Sequence, residues 1–318
     1  MANELISIVI PALNEQDNIF AVYQRLCQIL KNENFEVLFV DDGSTDGTAE
    51  AIANLAQNHA NIRGLSFSKN FGHQSALKAG FDYALGNCVV TLDCDLEHPP
   101  EYITQMLQLW RNGSEVVISS RIDSKEISLF KRISSKLFYF VLNLLSDHQI
   151  KPGSADFRLL DRKVVDACKE MKEPELFWRG IIPSLGFKTS YISYQQGIRS
   201  RGVTNYSVSR MLKLSLAGIV SSSHRPLYLG LYLGLFFSCS SFLYFGFRLI
   251  NSLVTKSIFW DSTLIVAAIF LMGGLQLLVL GIMGVYFGKL LKQVKGRPHY
   301  ILKRTIPNTP TSELKKVS

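Results

Sequence analysis
The chain has 318 residues, of which 47 % are apolar and 19 % charged, and a formal net charge of +8. The apolar content excludes an intrinsically disordered chain, and five cysteines in this length exclude a disulfide-stapled secreted scaffold. A mean hydropathy of +0.14, with a charged fraction below the roughly 25 % usual for soluble domains, points to membrane segments.

The first 120 residues alternate between two periodicities. Short β-branched or apolar runs at 6–11, 37–40, 62–67, 89–92 and 116–119 predict strands, and helical spacing predicts helices at 14–30, 45–57, 75–85 and 101–110. Ser44 or Thr45 is placed to cap the second helix, and Pro99-Pro100 to open the fourth. Strands alternating with helices of this length give a mostly parallel, doubly wound α/β sheet.

Further along, Leu129, Phe130, Ile133, Leu137, Phe140, Val141 and Leu144 recur at helical spacing with Lys131, Arg132 and Lys136 between them. This predicts an amphipathic basic helix over about 127–146, of the kind that lies in a membrane interface. Residues 208–220, with Arg210 and Lys213, have the same character. Residues 226–247 and 262–288 then contain no charged side chain. Each exceeds the roughly 20 residues that cross a hydrocarbon core as a helix, so two spans are predicted at about 226–250 and 262–288.

Seven of the eight net charges lie in residues 289–318, where eight basic residues face Glu313. The rest of the chain is near neutral, which argues against a nucleic-acid partner. Arg225 before the first span and the basic segment after the second put both ends on the cytoplasmic side. Residues 1–4 are polar and no basic segment leads into 5–13, so a secretory leader is not expected. The predicted organisation is a catalytic domain at 1–206, a juxtamembrane helix at 207–225, a two-helix hairpin at 226–288 and a basic cytoplasmic tail at 289–318. The cysteines show no zinc or redox spacing, and neither His73, His98 nor His148 fits a zinc motif.

Ligands of doubly wound sheets bind at the carboxyl ends of strands, and those ends carry the acidic residues: Glu15 after the first strand, Asp41-Asp42 after the second, Asp93-Cys94-Asp95-Leu96-Glu97 after the fourth. Two carboxylates two residues apart can reach one divalent cation if the chain turns there, and Mg²⁺ or Mn²⁺ prefers such hard oxygen ligands. Turn formation or solvated charge is the alternative for the same pair. The first strand is not followed by G-x-G-x-x-G and the chain has no P-loop motif, against a dinucleotide dehydrogenase or a P-loop ATPase. Asp41-Asp42-Gly43-Ser44-Thr45-Asp46-Gly47 is not an EF-hand loop, because Ile52 stands at its twelfth position.

Three ordered motifs make a resemblance specific: Pro11-Ala12-Leu13-Asn14-Glu15, Asp41-Asp42-Gly43-Ser44-Thr45-Asp46-Gly47-Thr48, and Asp93 through Glu101 with Asp95, Glu97, His98 and Pro99-Pro100. Together with Asn70-Phe71-Gly72 and Gly153 through Leu159 they resemble the inverting family 2 glycosyltransferases of GT-A fold. The two apolar stretches narrow this to polyprenyl-phosphate glycosyltransferases, of the bactoprenol glucosyltransferase type and more distantly dolichol-phosphate mannose synthase. The resemblance covers about residues 4–300.

The resemblance implies a GT-A, Rossmann-like catalytic domain followed by a transmembrane hairpin. Pro11, Ala12, Glu15 and Asp41 would line the nucleotide base and ribose. Asp93 and Asp95 would hold Mg²⁺ or Mn²⁺ on the donor diphosphate. Glu97 stands where relatives usually carry Gln and is a third candidate ligand. Arg121, Lys131, Arg132 and Ser135 would form the acceptor-phosphate cluster, joined by Arg199 and Arg201 from a later basic loop in which Asn205 replaces a usual Lys. Asp156 would act as a base or would position sugar hydroxyls or the acceptor. Trp178 is assigned to the core, and Arg179 either to the sugar or to the core. The implied reaction moves a hexose, glucose from UDP-glucose by this resemblance, onto undecaprenyl phosphate in the cytoplasmic leaflet. GDP-mannose or another UDP-sugar is the alternative donor, and a catalytically silent scaffold on the same fold is the rival outside enzymes. A processive polysaccharide synthase would carry a Gln-x-x-Arg-Trp motif, which is missing here. A homo-oligomer is compatible with the family and with a thin two-helix anchor.

Overall fold
The computed structural model describes residues 4–122, 154–173, 176–195 and 262–307, and single helical positions between 232 and 254. These residues fall into two compact units.

The first unit is built on an eight-stranded sheet in the order β7-β5-β6-β4-β1-β2-β3-β8. Its strands are β1 (Leu5–Ala12), β2 (Asn34–Asp41), β3 (Ile62–Phe67), β4 (Cys88–Thr91), β5 (Val116–Ile122), β6 (Ser154–Asp161), β7 (Thr189–Gln195) and β8 (Leu302–Ile306). Helices α1 (Gln16–Ile29), α2 (Thr48–Asn58), α3 (His73–Tyr83), α4 (Tyr102–Arg111), α5 (Arg162–Lys169) and α6 (Trp178–Ser184) cover it.

β1 is the central strand, and its sequence says why. Ile6, Ile8, Val9 and Ile10 are all fully buried, as a parallel strand covered on both faces requires. Alternation sends Ile6, Ile8 and Ile10 into one core with α1 and α4, and Val9 into the other with α3. On α1, Ile19, Val22, Tyr23 and Leu26 form the buried stripe, spaced as a helix face demands. On α3, Gly80 makes the approach possible: a Cβ there would collide with Cγ1 of Val9.

β1 pairs parallel with β2 on one side and with β4 on the other. The chain direction across the sheet therefore reverses between β1 and β4, which opens a crevice at their carboxyl ends. β6 runs antiparallel to β4 with Thr91 opposite Arg158. That direction brings the amino end of β6, with Asp156, toward the carboxyl end of β4, with Asp93.

The nine predicted elements of the first 120 residues are present, with shifted edges. α1 begins at Gln16 rather than 14 because Asn14 has a positive φ of 57°. α2 begins at Thr48 rather than 45 because residues 44–47 form a hydrogen-bonded loop. β6, β7 and β8 are additional to the predicted strands. β8 lies within the segment expected to be a basic tail, where it pairs antiparallel with β3 and buries Ile306 in the core. Just before it, Tyr300 stacks on Phe67 at 5.1 Å and donates to Asp82 at 2.8 Å.

The second unit holds α7 (Ser262–Val294). At 33 residues it is about 50 Å long, and it runs six residues past the predicted end at 288. Its part Leu271–Val294 is long and apolar enough to cross a membrane. Leu277, Leu280, Val285 and Phe287 are each more than half exposed, an apolar surface of the sort that meets lipid or another protein. The predicted helix at 127–146 lies outside the described residues, as does 208–220. Of the first predicted span, single positions such as Tyr232, Phe236 and Tyr244 are helical.

Candidate active site at the carboxyl ends of β1, β2 and β4
Two loops at the ends of β1 and β2 are sewn together. Asn14 donates its amide to Ser44 Oγ at 2.9 Å and accepts from the Thr45 amide at 2.9 Å. The Glu15 amide donates to Thr48 Oγ1, and the Gly47 amide donates to Gln16 Oε1, both at 2.9 Å. Asp46 Oδ1 accepts from the Thr48 amide at 3.0 Å and from its hydroxyl at 2.5 Å. Gly43 turns at φ 72°, and a Cβ there would strike the Lys69 backbone. The motif 41–48 is thus a cross-linked loop that fixes where Glu15 sits.

Asp41 and Asp42 serve this frame. Asp41 is 1 % exposed; its carboxylate accepts from the Ser44 amide at 2.9 Å and from Ser66 Oγ at 2.6 Å. Asp42 accepts from the amides of Phe71, at 2.7 Å, and Gly72, at 2.9 Å. It thereby clamps the turn that starts α3 and delivers His73. Burial raises the Asp42 pKa despite those two donors.

Glu15 reports the electrostatics of the crevice. Burial raises its pKa, the Asn18 amide opposes this, and the charges of Asp95, Asp46 and Asp93 push it further up. Carboxylates from three strand ends therefore share one field. Pro11 and Ala12 are the buried last residues of β1 beside them.

After β4 the chain turns sharply. Leu96 has a positive φ of 57°, and the Glu97 amide donates to Asp95 Oδ1 at 3.0 Å. Among the described residues no three His, Cys, Asp or Glu side chains converge as a metal cluster. Mg²⁺ is usually held by one or two carboxylates with substrate phosphates and water completing the shell. Asp93 and Asp95 are the right donors for that arrangement, and the mutual repulsion felt at Glu15 is what a cation would relieve.

Two histidines that fit no zinc motif lie beside these carboxylates. His98 Nε2 lies 3.1 Å from Asp93 Oδ2, and its Nδ1 lies 2.5 Å from the Tyr194 hydroxyl. His73 Nε2 lies 3.8 Å from Asp93 Oδ1 and 3.7 Å from Asp156 Oδ2. Burial alone would raise the Asp93 pKa, but the His98 hydrogen bond and the charges of His73 and His98 lower it.

Asp156 is 6 % exposed and carries two arginines. Arg158 Nη2 donates to Oδ1 at 2.8 Å; Arg179 donates from Nε to Oδ1 at 3.1 Å and from Nη2 to Oδ2 at 2.8 Å. Burial would raise this carboxyl, yet the two guanidinium charges hold it well below the usual carboxylate range. Asp156 and Arg158 share a face of β6 by their two-residue spacing. Trp178 is fully buried, as expected. Its indole packs edge-on against Phe81 and donates to the Gln74 carbonyl at 3.0 Å. That anchorage sets Arg179, the next residue, against Asp156.

Of the predicted acceptor residues, Arg121 lies in β5 opposite Tyr194 of β7. Lys131, Arg132, Ser135, Arg199 and Arg201 lie outside the described residues.

Residues 7–168, from β1 into α5, match the family described as Glycosyl transferase family 2. The chain belongs to this family. It is 40 % identical over 303 residues to the uncharacterized glycosyltransferase YkcC of Bacillus subtilis, covering 94 % of this chain and 93 % of that one. It is 35 % identical over 307 residues to the bactoprenol glucosyl transferase of Shigella phage SfII, covering 96 % and 99 %. Among solved structures it is similar to glucosyl-3-phosphoglycerate synthase from Mycobacterium tuberculosis, at 19 % identity and a TM-score of 0.48, covering 69 % and 78 %. Within the family-matched region lie Glu15, Asp93, Asp95, His98, Asp156 and Arg158; Arg179 and Tyr194 come from beyond it.

Proposed function
We propose that this family 2 glycosyltransferase moves a hexose, glucose from UDP-glucose, onto a polyprenyl phosphate such as undecaprenyl phosphate at the cytoplasmic membrane face, with inversion. The observation that carries the reading is the similarity to the bactoprenol glucosyl transferase of Shigella phage SfII over 96 % of this chain, which takes in α7 as well as the acidic strand ends. In this reading 226–250 and 262–288 are both spans of a GT-A enzyme anchored in the membrane.

Asp93 and Asp95 would hold Mg²⁺ or Mn²⁺, with Glu97 a third candidate, and the cation when bound offsets the charge growing on the leaving nucleoside diphosphate. Pro11, Ala12, Glu15 and Asp41 form the nucleoside side of the crevice, and His98 fixes the rotamer of Asp93. The acceptor phosphate has a second pKa near 6, so one oxygen is already anionic at neutral pH and no strong base is needed. Arg121, Lys131, Arg132, Ser135, Arg199 and Arg201 receive that phosphate, for which the guanidinium fork is well matched.

The test supplies radiolabelled UDP-glucose, GDP-mannose or UDP-N-acetylglucosamine with polyprenyl phosphate and Mg²⁺ or Mn²⁺. Label in the lipid fraction from UDP-glucose supports the reading. Label from GDP-mannose alone moves the chain to the mannose-synthase branch, and no lipid label from any donor sinks it.

A further inference from the structure
His73 is the first residue of α3, and the end of β2 fixes its backbone. Asp42 accepts from the Phe71 amide at 2.7 Å and from the Gly72 amide at 2.9 Å, and Gly72 turns at φ 94°. The ring so delivered has Nε2 3.8 Å from Asp93 Oδ1 and 3.7 Å from Asp156 Oδ2. Neither distance makes a hydrogen bond. His98 differs: its side chain is 13 % exposed and its Nε2 meets Asp93 at 3.1 Å. The His73 side chain is 39 % exposed. His98 is packed around Asp93, whereas His73 stands off both carboxylates with part of its ring open.

Two carboxylate oxygens near one ring nitrogen favour a proton on that nitrogen. The pair then offers a donor, His73 Nε2–H, and an acceptor, Asp156 Oδ2, 3.7 Å apart. One ligand oxygen can lie about 2.8 Å from both. Oδ2 already accepts from Arg179, and a carboxylate oxygen can take a second donor. An oxygen that accepts from Nε2 and donates to Oδ2 must carry a proton. An ionised diphosphate oxygen has none and would meet Asp156 as a like charge. A sugar hydroxyl does both.

Building on the transfer reaction proposed above, which puts a nucleotide-bound hexose beside Asp93, we infer that His73 is a sugar-binding residue. Its Nε2 donates to one hydroxyl of the donor hexose, and that hydroxyl donates to Asp156. The contact selects the hexose and leaves the nucleotide to the other strand ends.

The full-length enzyme is compared with His73→Ala and His73→Gln, each checked for wild-type melting. Binding of UDP, of UDP-glucose and of UDP-glucose analogues lacking one hydroxyl each is measured with Mn²⁺ present. If wild type binds GDP-mannose instead, the series uses GDP, GDP-mannose and its deoxy analogues. Loss of the hydrogen bond in His73→Ala should weaken the nucleotide sugar by roughly fivefold or more, with the free nucleotide within about twofold of wild type. One deoxy donor should show a similar loss on wild type and no added loss on His73→Ala, which identifies the hydroxyl. His73→Gln, whose side-chain amide keeps a donor, should recover part of the affinity. If His73→Ala does not fold, His73→Leu takes its place. Equal losses for free nucleotide and nucleotide sugar would overturn the assignment, because the contact would then be to the nucleotide. So would an unchanged nucleotide-sugar affinity, or losses that add for every deoxy donor. Wild type that binds a nucleotide sugar but transfers nothing to lipid sinks the transfer reading alone, and the binding series still judges His73. Wild type that binds no nucleotide sugar overturns both.

Discussion

His98 holds Asp93 from one side: its Nε2 lies 3.1 Å from Asp93 Oδ2, while Tyr194 engages the opposite ring nitrogen at 2.5 Å. The ring also lies near-parallel to Phe157 with centroids 5.7 Å apart. A carboxylate pinned this way presents its other oxygen, Oδ1, in one direction. Such outer contacts to a metal-binding side chain commonly matter by ten- to a hundredfold. His98→Ala is therefore expected to raise the Mn²⁺ concentration needed for half-maximal transfer by roughly tenfold or more. Titrating Mn²⁺ against activity, and against direct Mn²⁺ binding in the presence of UDP, checks this. An unchanged Mn²⁺ requirement would separate His98 from the site.

Glu15 lies in a field that disfavours its ionised form, first through burial and then through Asp95, Asp46 and Asp93. Its folded pKa lies above its ordinary value of 4.5. The unfolded chain therefore loses this proton first as pH rises, and ionisation in the folded state weakens the fold above that pH. Glu15→Gln removes the penalty. The variant without cation should melt higher than wild type at neutral pH, and the difference should fade below pH 4.5. Added Mn²⁺ with UDP should stabilise wild type more than the variant. Melting curves at both pH values, with and without Mn²⁺, decide it.

Gly80 is where α3 touches β1. Alanine would improve helix propensity by up to about 1 kcal/mol, but its Cβ would run into Val9 Cγ1. Overpacking a core costs about 1–3 kcal/mol, and Val9 sits on a central strand with nowhere to retreat. Gly80→Ala is expected to destabilise the chain by about 1 kcal/mol net. Adding Val9→Ala should recover part of the loss. Denaturation of the single and double variants checks both statements.

The sheet's parallel half was legible because its strands are short β-branched runs between helical stripes, and the loops after β1, β2 and β4 were legible because their polar residues recur at strand ends. Other features were hidden for identifiable reasons. β8 carries Lys303 and Arg304, which read as tail charge until pairing with β3 is seen. Asp156 and Arg158 lie two apart on one face of β6, but the approach of Asp156 to Asp93 depends on β6 running antiparallel beside β4, a long-range fact. His73 and His98 fit no zinc spacing, and an oxygen-ligand site does not call for them. What gives them a place is the carboxylates they approach, Asp93 and Asp156, which come from other parts of the chain. The sequence allows Arg179 either the sugar or the core; Trp178 takes the core, and its neighbour is delivered to Asp156.

Asp93 and Asp95, just after β4, are the proposed centre of sugar transfer. The most direct measurement compares lipid-linked label formed from UDP-glucose by wild type and by Asp95→Ala, both full length, in polyprenyl-phosphate vesicles with Mg²⁺ or Mn²⁺. Asp95→Ala is expected to melt like wild type and to form no lipid-linked sugar. Transfer by Asp95→Ala at a rate near wild type would contradict it.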